Sequence, residues 1–274
     1  MNKLSNERRA HIVRALVEGN SIRATCRMTD TAKGTVLKLL ADVGRVCDAY
    51  QREHLRNLPC TKIQCDEIWS FIGCKEKNRP ERERGKFGRG DVWTWTAICA
   101  DTKLVPVWLV GPRDAMAARE FIFDLSVRLK SRVQLTTDGH KVYLDAVERV
   151  FGSEIDYAML VKLYGVNPEA ETRYSPAECI GCWEQAIKGK PDSRYISTSY
   201  AERQNLTMRM SMRRFTRLTN AFSRKVENQA AAVALHFMHY NFCRIHQTLR
   251  ITPAQAAGVT NKLWDVEDIV ALLD

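Results

Sequence analysis

The sequence predicts an α/β protein: a mixed sheet with flanking helices, preceded by a small all-helical unit. Three observations carry this. Apolar residues recur at helical spacing up to about residue 50, the pattern turns to β-like runs rich in Ile, Val and Trp after Pro59, and strand and helix patterns then alternate. The expected divisions are residues 1–58, 59–250 with an insertion near 151–198, and a helical tail over 251–274.

Residues 5–18 read as a first helix, capped by Ser5, with Ile12, Val13, Leu16 and Val17 on one face and Gly19 and Asn20 as its end. Ser21 caps a second short helix in which Ile22 and Cys26 form an i, i+4 pair. After a turn near Asp30, Val36, Leu39, Leu40 and Val43 mark a third. Three short helices with a tight turn before the last resemble a helix-turn-helix unit. In that motif the start of the last helix enters the major groove, so Lys33, Thr35 and Lys38 are the candidate DNA contacts; a plain three-helix bundle is the alternative.

A basic connector around QREHLRNLP follows, and then strands: KIQCDEIWSFIG, DVWTWTAICA and KLVPVWLVG. Asp101, Thr102 and Lys103 suit the turn between the last two, and residues 75–90 suit a basic loop. AMAAREFIFDLSVRLK is helical, VQLTTDGH returns to strand, and HKVYLDAVERVF is helical again. IDYAMLVKLYG reads as one more strand, whereas the Pro-, Gly- and polar-rich remainder of 151–198 reads as an excursion. Two long helical stretches follow, from Ser199 to about Phe215 and over SRKVENQAAAVALHFMHYNF. Thr252 caps a last short helix with Pro253 at its first position.

With 274 residues, 45% of them hydrophobic, the chain is long and apolar enough for a buried core, which excludes a disordered protein. No apolar run approaches the ~18 residues of a membrane span, and MNKLSNERRAHIV lacks a signal-peptide layout. A cytoplasmic protein without a membrane partner is expected. Nine scattered cysteines, an odd number, read as free thiols.

The net charge of +10 is unevenly placed. Residues 1–56 carry eleven Lys and Arg against six Asp and Glu, residues 75–90 seven against three, and residues 202–250 nine against two. Those blocks are net +5, +4 and +7, so the rest of the chain carries six net negative charges. Basic blocks around an acidic remainder suit a polyanion, because each cation set against a phosphate releases condensed counterions.

Three carboxylates sit where chemistry would need them. Asp66 lies inside an apolar strand, Asp138 follows a strand at an Asp-Gly turn, and Glu202 opens a basic helix. A carboxylate in an apolar strand is costly to bury unless it is paired or holds a metal. Hard oxygen ligands suit Mg²⁺ or Mn²⁺, and two such ions about 4 Å apart support phosphodiester displacement. Each acid also has a local reading: Glu67 beside Asp66 suits an exposed face, Asp138-Gly139 an ordinary turn, and Ser199-x-x-Glu202 a capping box. Trp93, Trp95 and Trp108, and His236 with His239, read as packing residues, and His140 as a polar turn residue.

Four blocks in this order, CDEIWSFIG, TTDGHKVY, AERQNLTMRMSMRRFTRLTNAFS and YNFCRIHQTL with TPA shortly after, resemble the transposases of bacterial insertion sequences. The match is nearest to the insertion-sequence-one family, within the DDE transposases and retroviral-type integrases, and spans about residues 60–256. The resemblance implies an RNase H-like core whose catalytic and metal-binding triad is Asp66, Asp138 and Glu202, with two Mg²⁺ or Mn²⁺ ions. It also implies that Arg209, and Asn205 on the same helical face, hold DNA near the site. Arg213, Arg214 and Arg217 extend that basic face as phosphate contacts. The expected partners are double-stranded DNA, as element ends and target, and further copies of the chain in a homodimer or larger homo-oligomer. No Cys-x-x-Cys zinc ribbon precedes the helices, and Cys179 with Cys182 lacks a second ligand pair, so zinc is not expected. A nuclease or resolvase that cuts without joining, and an inert DNA-binding regulator, are the rival functions.

Overall fold

The computed structural model describes residues 4–165, 178–216 and 220–274. Its first three helices are α1 (Asn6–Val17), α2 (Ile22–Thr29) and α3 (Lys33–His54). Ser5 and Ser21 cap α1 and α2 as their positions suggested, accepting from the backbone N–H groups of Arg8 and Ala24. Asp30 ends α2 in the left-handed conformation. The third helix is longer than expected and takes in QREH of the supposed connector. Gln51, fully buried, donates to the Ala234 carbonyl and so ties this last part to the core.

Six strands form one sheet: β1 (Lys62–Ile72), β2 (Gly90–Cys99), β3 (Val107–Gly111), β4 (Gln134–Asp138), β5 (Asp156–Gly165) and β6 (Glu178–Lys188). Their order is β3-β2-β1-β4-β5-β6. The first three are antiparallel neighbours, β4 and β5 run parallel to β1, and β6 closes the edge antiparallel to β5. The sheet is therefore mixed, as predicted.

Two parts of it differ from the sequence reading. Residues 103–106 of KLVPVWLVG lie outside β3, because the side-chain amide of Asn241 brackets Val105, accepting from its N–H and donating to its carbonyl. Residues 178–188, read as part of an excursion, form β6. The expected excursion over residues 166–177 lies outside the described residues. The strand was hard to see because it is an edge strand whose side chains are largely exposed, so it carries no buried period-two stripe.

Helices α4 (Ala115–Ser126) and α5 (Val142–Phe151) pack beside each other against the sheet, with Phe121, Ile122, Tyr143 and Val147 buried. α6 (Ser199–Ser211) crosses β1, α7 (Val226–Met238) lies along α3, and two short helices, α8 (Pro253–Ala256) and α9 (Val266–Ala271), end the chain. Thr252 forms the expected cap of α8, with Gln255 completing a capping box. α9 returns to α1, where Glu267 pairs with Arg14. Residues of the first helices, the sheet and the C-terminal helices all belong to one hydrophobic cluster. No helix among the described residues is long and apolar enough to cross a membrane. All nine cysteines are free.

The contact of α3 with α7 depends on Gly44. A Cβ there would lie 2.5 Å from both Cα and Cβ of Ala231 and 2.7 Å from its carbonyl oxygen. Alanine gains about 1 kcal/mol of helix propensity over glycine, but overpacking a tight contact costs typically 1–3 kcal/mol. The clash involves backbone, which yields little, so overpacking wins. Gly44→Ala is expected to lower stability by about 1–2 kcal/mol net, read as a lower urea midpoint at unchanged m-value.

Candidate active site

The acidic centre begins with register. β1 and β4 are parallel neighbours with Gln64 beside Thr136, so Asp66 and Asp138, two residues further along each strand, come side by side at the carboxyl end of β4. Gln64, on the same face of β1 as Asp66, sets the helix above them. Its side-chain oxygen accepts from the N–H groups of Tyr200 and Ala201 at 2.8 and 3.3 Å, satisfying two donors at the open N-terminus of α6. That anchors α6 over β1 and brings Glu202 and Asn205 down to the strand. Removing the acceptor in Gln64→Ala is expected to cost about 1–2 kcal/mol of stability, as loss of a helix N-cap does. Thermal unfolding checks this.

Asp66, Asp138 and Glu202 then line one cleft of about 470 Å³, together with Arg113, His140, Lys162 and Thr198. Asp66 accepts from the Glu67 N–H and from Asn205 Nδ2, both at 2.8 Å. Asp138 accepts from the His140 N–H at 3.0 Å, an Asx turn that fixes its side chain. Glu202 accepts from Thr198 Oγ1 and Lys162 Nζ. The expected Ser199 capping box is not formed: Thr198 occupies the N-cap position, and the Glu202 carboxylate meets the Thr198 hydroxyl and Lys162.

Periodicity alone does not choose between an exposed and a buried face for the acids of β1, and the structure settles it for Glu67. Its carboxylate is fully buried, not on an exposed face, and accepts from Tyr143 OH and from Arg113 Nε at 3.1 Å. Arg113 also lies 3.5 Å from Asp138 and stacks over the Trp93 ring. One guanidinium thus spans two of the acids. Neither Arg113, in the Pro-Arg-Asp turn before α4, nor Lys162, a single cation in the apolar run of β5, was singled out from sequence. A lone charge in an otherwise apolar strand was the signal available for Lys162.

Oxygens of Asp66, Glu67 and Asp138 all lie within 4.8 Å of one another. Burial, then repulsion from Asp138, pushes Asp66 up to about 7, against the lowering hydrogen bonds from the Glu67 N–H and Asn205. Glu67 is pushed up to about 7 by the same two causes, against Tyr143 and Arg113. Two carboxyls so poised beside a third have too little positive charge near them. Hard oxygen donors at this spacing fit a divalent cation such as Mg²⁺ or Mn²⁺. Asp66 and Asp138 are the freer ligands, because Glu67 is already engaged by Tyr143 and Arg113.

The remaining predicted residues fall in three groups. Asn205 is buried, and its side-chain amide donates to Asp66. Arg214 also faces inward, donating to Ser223 Oγ and to the Asn228 carbonyl. Lys33, Thr35, Lys38 and Arg213 are exposed, and Lys38 pairs with Asp42. Arg209 is half-buried on α6, outside the residues lining the cleft, and Arg217 lies outside the described residues. Cys179 and Cys182 are both exposed on β6, opposite Tyr164 and Lys162. His236 is buried, as packing predicted.

No protein-family model matches the chain, and no curated protein matches it by sequence. Among solved structures, it is similar over its whole length to 71% of the piggyBac transposase chain in a synaptic complex with hairpin DNA, at 10% identity and a TM-score of 0.44. It is similar over 57% of its length to 60% of the Mos1 transposase chain in a paired-end complex with the left transposon end, at 10% identity and a TM-score of 0.23. A pre-cleavage Mos1 transpososome is similar over 87% of this chain and 79% of that one, at 8% identity and a TM-score of 0.26. Likenesses this distant carry no weight for function, which is read below from the cleft itself.

Proposed function

We propose that the chain cleaves and joins DNA strands by phosphoryl transfer, as a DDE-type transposase acting at the ends of an insertion sequence. The observation that carries this is the meeting of Asp66 on β1, Asp138 on β4 and Glu202 on α6 in one cleft within a strongly basic chain. The mixed sheet, with its antiparallel trio followed by parallel strands, suits the RNase H-like core that the sequence resemblance implies.

Asp66 and Asp138 would hold the divalent ions, with Glu202 across the cleft completing the set once Lys162 yields it. Two bound Mg²⁺ or Mn²⁺ ions supply charge for the developing oxyanions and lower the pKa of the attacking hydroxyl. Asn205 and the Glu67 N–H orient the Asp66 carboxylate. Arg113, held by Glu67 and Trp93, keeps positive charge beside Asp138, where a phosphate would enter. In the first step water attacks phosphorus and the 3′-oxygen leaves, freeing a 3′-hydroxyl. In the second that oxygen attacks a target phosphodiester, one P–O bond forming as another breaks. The helices of residues 1–58 would read the element end, and joining two ends calls for at least two copies of the chain.

A strand-transfer assay on DNA carrying the sequences that flank the gene tests the reading. Wild type is expected to nick and join in Mg²⁺, while Asp138→Asn and Glu202→Gln lose both steps by roughly a thousandfold, about 4 kcal/mol of barrier, yet still bind DNA. Retention of strand transfer by either variant overturns the assignment. Cleavage without joining selects the nuclease instead.

A further inference from the structure

A second cavity, of about 660 Å³, lies between α1–α3 and residues 211–214 and 220–224. It shares no lining residue with the acidic cleft. Its walls meet where Gly19, at φ +80°, ends α1: a Cβ there would lie 3.1 Å from the Ser211 carbonyl at the end of α6. The close approach of these two helix ends fixes one side of the cavity.

Arg23, Lys33, Arg213, Arg214 and Arg224 line it, and no carboxylate among the described residues does. Other exposed arginines find acids, as Arg14 finds Glu267, Arg45 Asp42 and Arg119 Asp145. Arg23, Lys33, Arg213 and Arg224 are exposed and form no ion pair among the described residues. Among the described residues Arg214 donates only to neutral oxygens, and burial pulls its guanidinium down to about 10. A desolvated cation without a counter-charge is costly unless a ligand supplies one.

Leu16, Ile22, Leu37 and Phe222 add apolar surface to the same lining, and Asn20, Asn220 and Asn228 add amide groups. His236 borders it, is 93% buried by its 7% exposure, and leaves Nε2 without a hydrogen-bond partner. A buried ring nitrogen with no partner among the described residues is open to one from a water or a ligand.

The volume lies in the range of about 300–1,000 Å³ that small ligands fill, and matches a cube roughly 9 Å on edge, narrower than the ~12 Å major groove of B-DNA. A duplex does not enter such a space. One nucleotide does, and it combines a phosphate for the cations with a flat, hydrogen-bonding base for the apolar and amide groups. We propose that this cavity is a nucleotide-binding site, in which a single phosphorylated nucleoside unit sets its phosphate against Arg23, Lys33, Arg213 and Arg224 and its base against the apolar and amide side chains of the lining. The unit is either a free nucleotide or an unstacked nucleotide of a DNA strand. The site stands apart from the phosphoryl-transfer reading and does not depend on it.

Calorimetric titration of the full chain at low salt tests this, using dAMP, inorganic phosphate, deoxyadenosine and a short 5′-phosphorylated single strand. dAMP or the strand is expected to bind at least tenfold tighter than phosphate or deoxyadenosine alone, since the cations and the apolar groups both contribute only to the intact unit. The double variant Arg213→Gln, Arg224→Gln, altered only at exposed positions, is expected to lose tenfold or more at an unchanged unfolding midpoint. Phe222→Ala is expected to weaken dAMP but not phosphate. Tight dAMP binding that the strand does not displace identifies a free nucleotide as the occupant; displacement, or tight binding of the strand alone, identifies a strand nucleotide. Binding of dAMP and the strand no tighter than phosphate, or affinities unchanged in the double variant, overturns the proposal. Strand transfer by the Asp138 and Glu202 variants is a separate readout, so failure of one reading leaves the other to be judged by itself.

Discussion

Asp66→Asn is expected to slow single-turnover DNA nicking by roughly a thousandfold or more, about 4 kcal/mol, whereas Glu67→Gln slows it by about ten- to a hundredfold, the range found for residues that support metal ligands. The two acids are neighbours in sequence, carry the same charge and are both pushed up to about 7. What separates them is commitment. The Glu67 oxygens are taken up by Tyr143 OH and the Arg113 guanidinium, and the side chain is fully buried. Asp66 meets only the N–H of its own neighbour and the Asn205 amide, which orient a carboxylate without neutralising it. It also borders the cleft with Asp138 and Glu202, as Glu67 does not. Glutamine at 67 keeps an acceptor for Tyr143 but turns a donor towards Arg113, so the loss falls on the placement of that guanidinium beside Asp138. The opposite ranking, with Glu67→Gln inactive and Asp66→Asn active, would assign the ligand role to Glu67.

That choice was not legible in the sequence, and the reason is physical. Side chains alternate along a strand, so the pattern around CDEIW places one acid on each face but does not say which face is covered. Glu67 is buried by groups that arrive from elsewhere, Arg113 before α4 and Tyr143 on α5. The strands and helices with strong periodicity were legible: α1 and α2 with their serine caps, β1, β2, β4 and β5, and the Thr252 cap of α8. β6 was not, because an exposed edge strand has no core face to impose a pattern. The inward turn of Arg214 was equally hidden: a run of arginines on a helix reads as a basic surface until Ser223 and the Asn228 carbonyl fold back over one of them. His236 was read correctly as a packing residue, yet its unpartnered nitrogen and the cations around it emerge only when α1–α3 close on α7.

In the absence of divalent metal, Asp66→Asn is expected to be more stable than wild type, by a margin that grows with pH. The Asp66 carboxyl has an ordinary value of 3.8 and is raised to about 7 in the folded protein. Between those values the folded state binds the proton more tightly than the unfolded state, so this group's contribution to stability is complete below about 4 and is lost as pH rises through about 7. Asparagine does not titrate, so the difference between variant and wild type isolates the loss. Its size is on the order of 2–4 kcal/mol at pH about 7.5, since one unit is about 1.4 kcal/mol and part of the shift is shared with Asp138 and Glu67. The wild-type profile alone would not reveal it. His236, lowered to about 3 chiefly by burial, acts in the opposite sense: protonation of the unfolded chain removes stability as pH falls below its ordinary value of 6.5. The two slopes oppose each other over much of the same window, and only the variant separates them. Urea unfolding at pH about 4.5 and about 7.5 in EDTA, repeated in Mg²⁺, reads both parts, because a ligand at a hundred times its Kd adds about 2.7 kcal/mol to the state that binds it. Mg²⁺ should therefore narrow or reverse the gap at the higher pH by stabilising wild type alone. A gap that does not change with pH would mean that Asp66 is already neutralised by a group other than a metal, and the case for an ion at the cleft would fall with it.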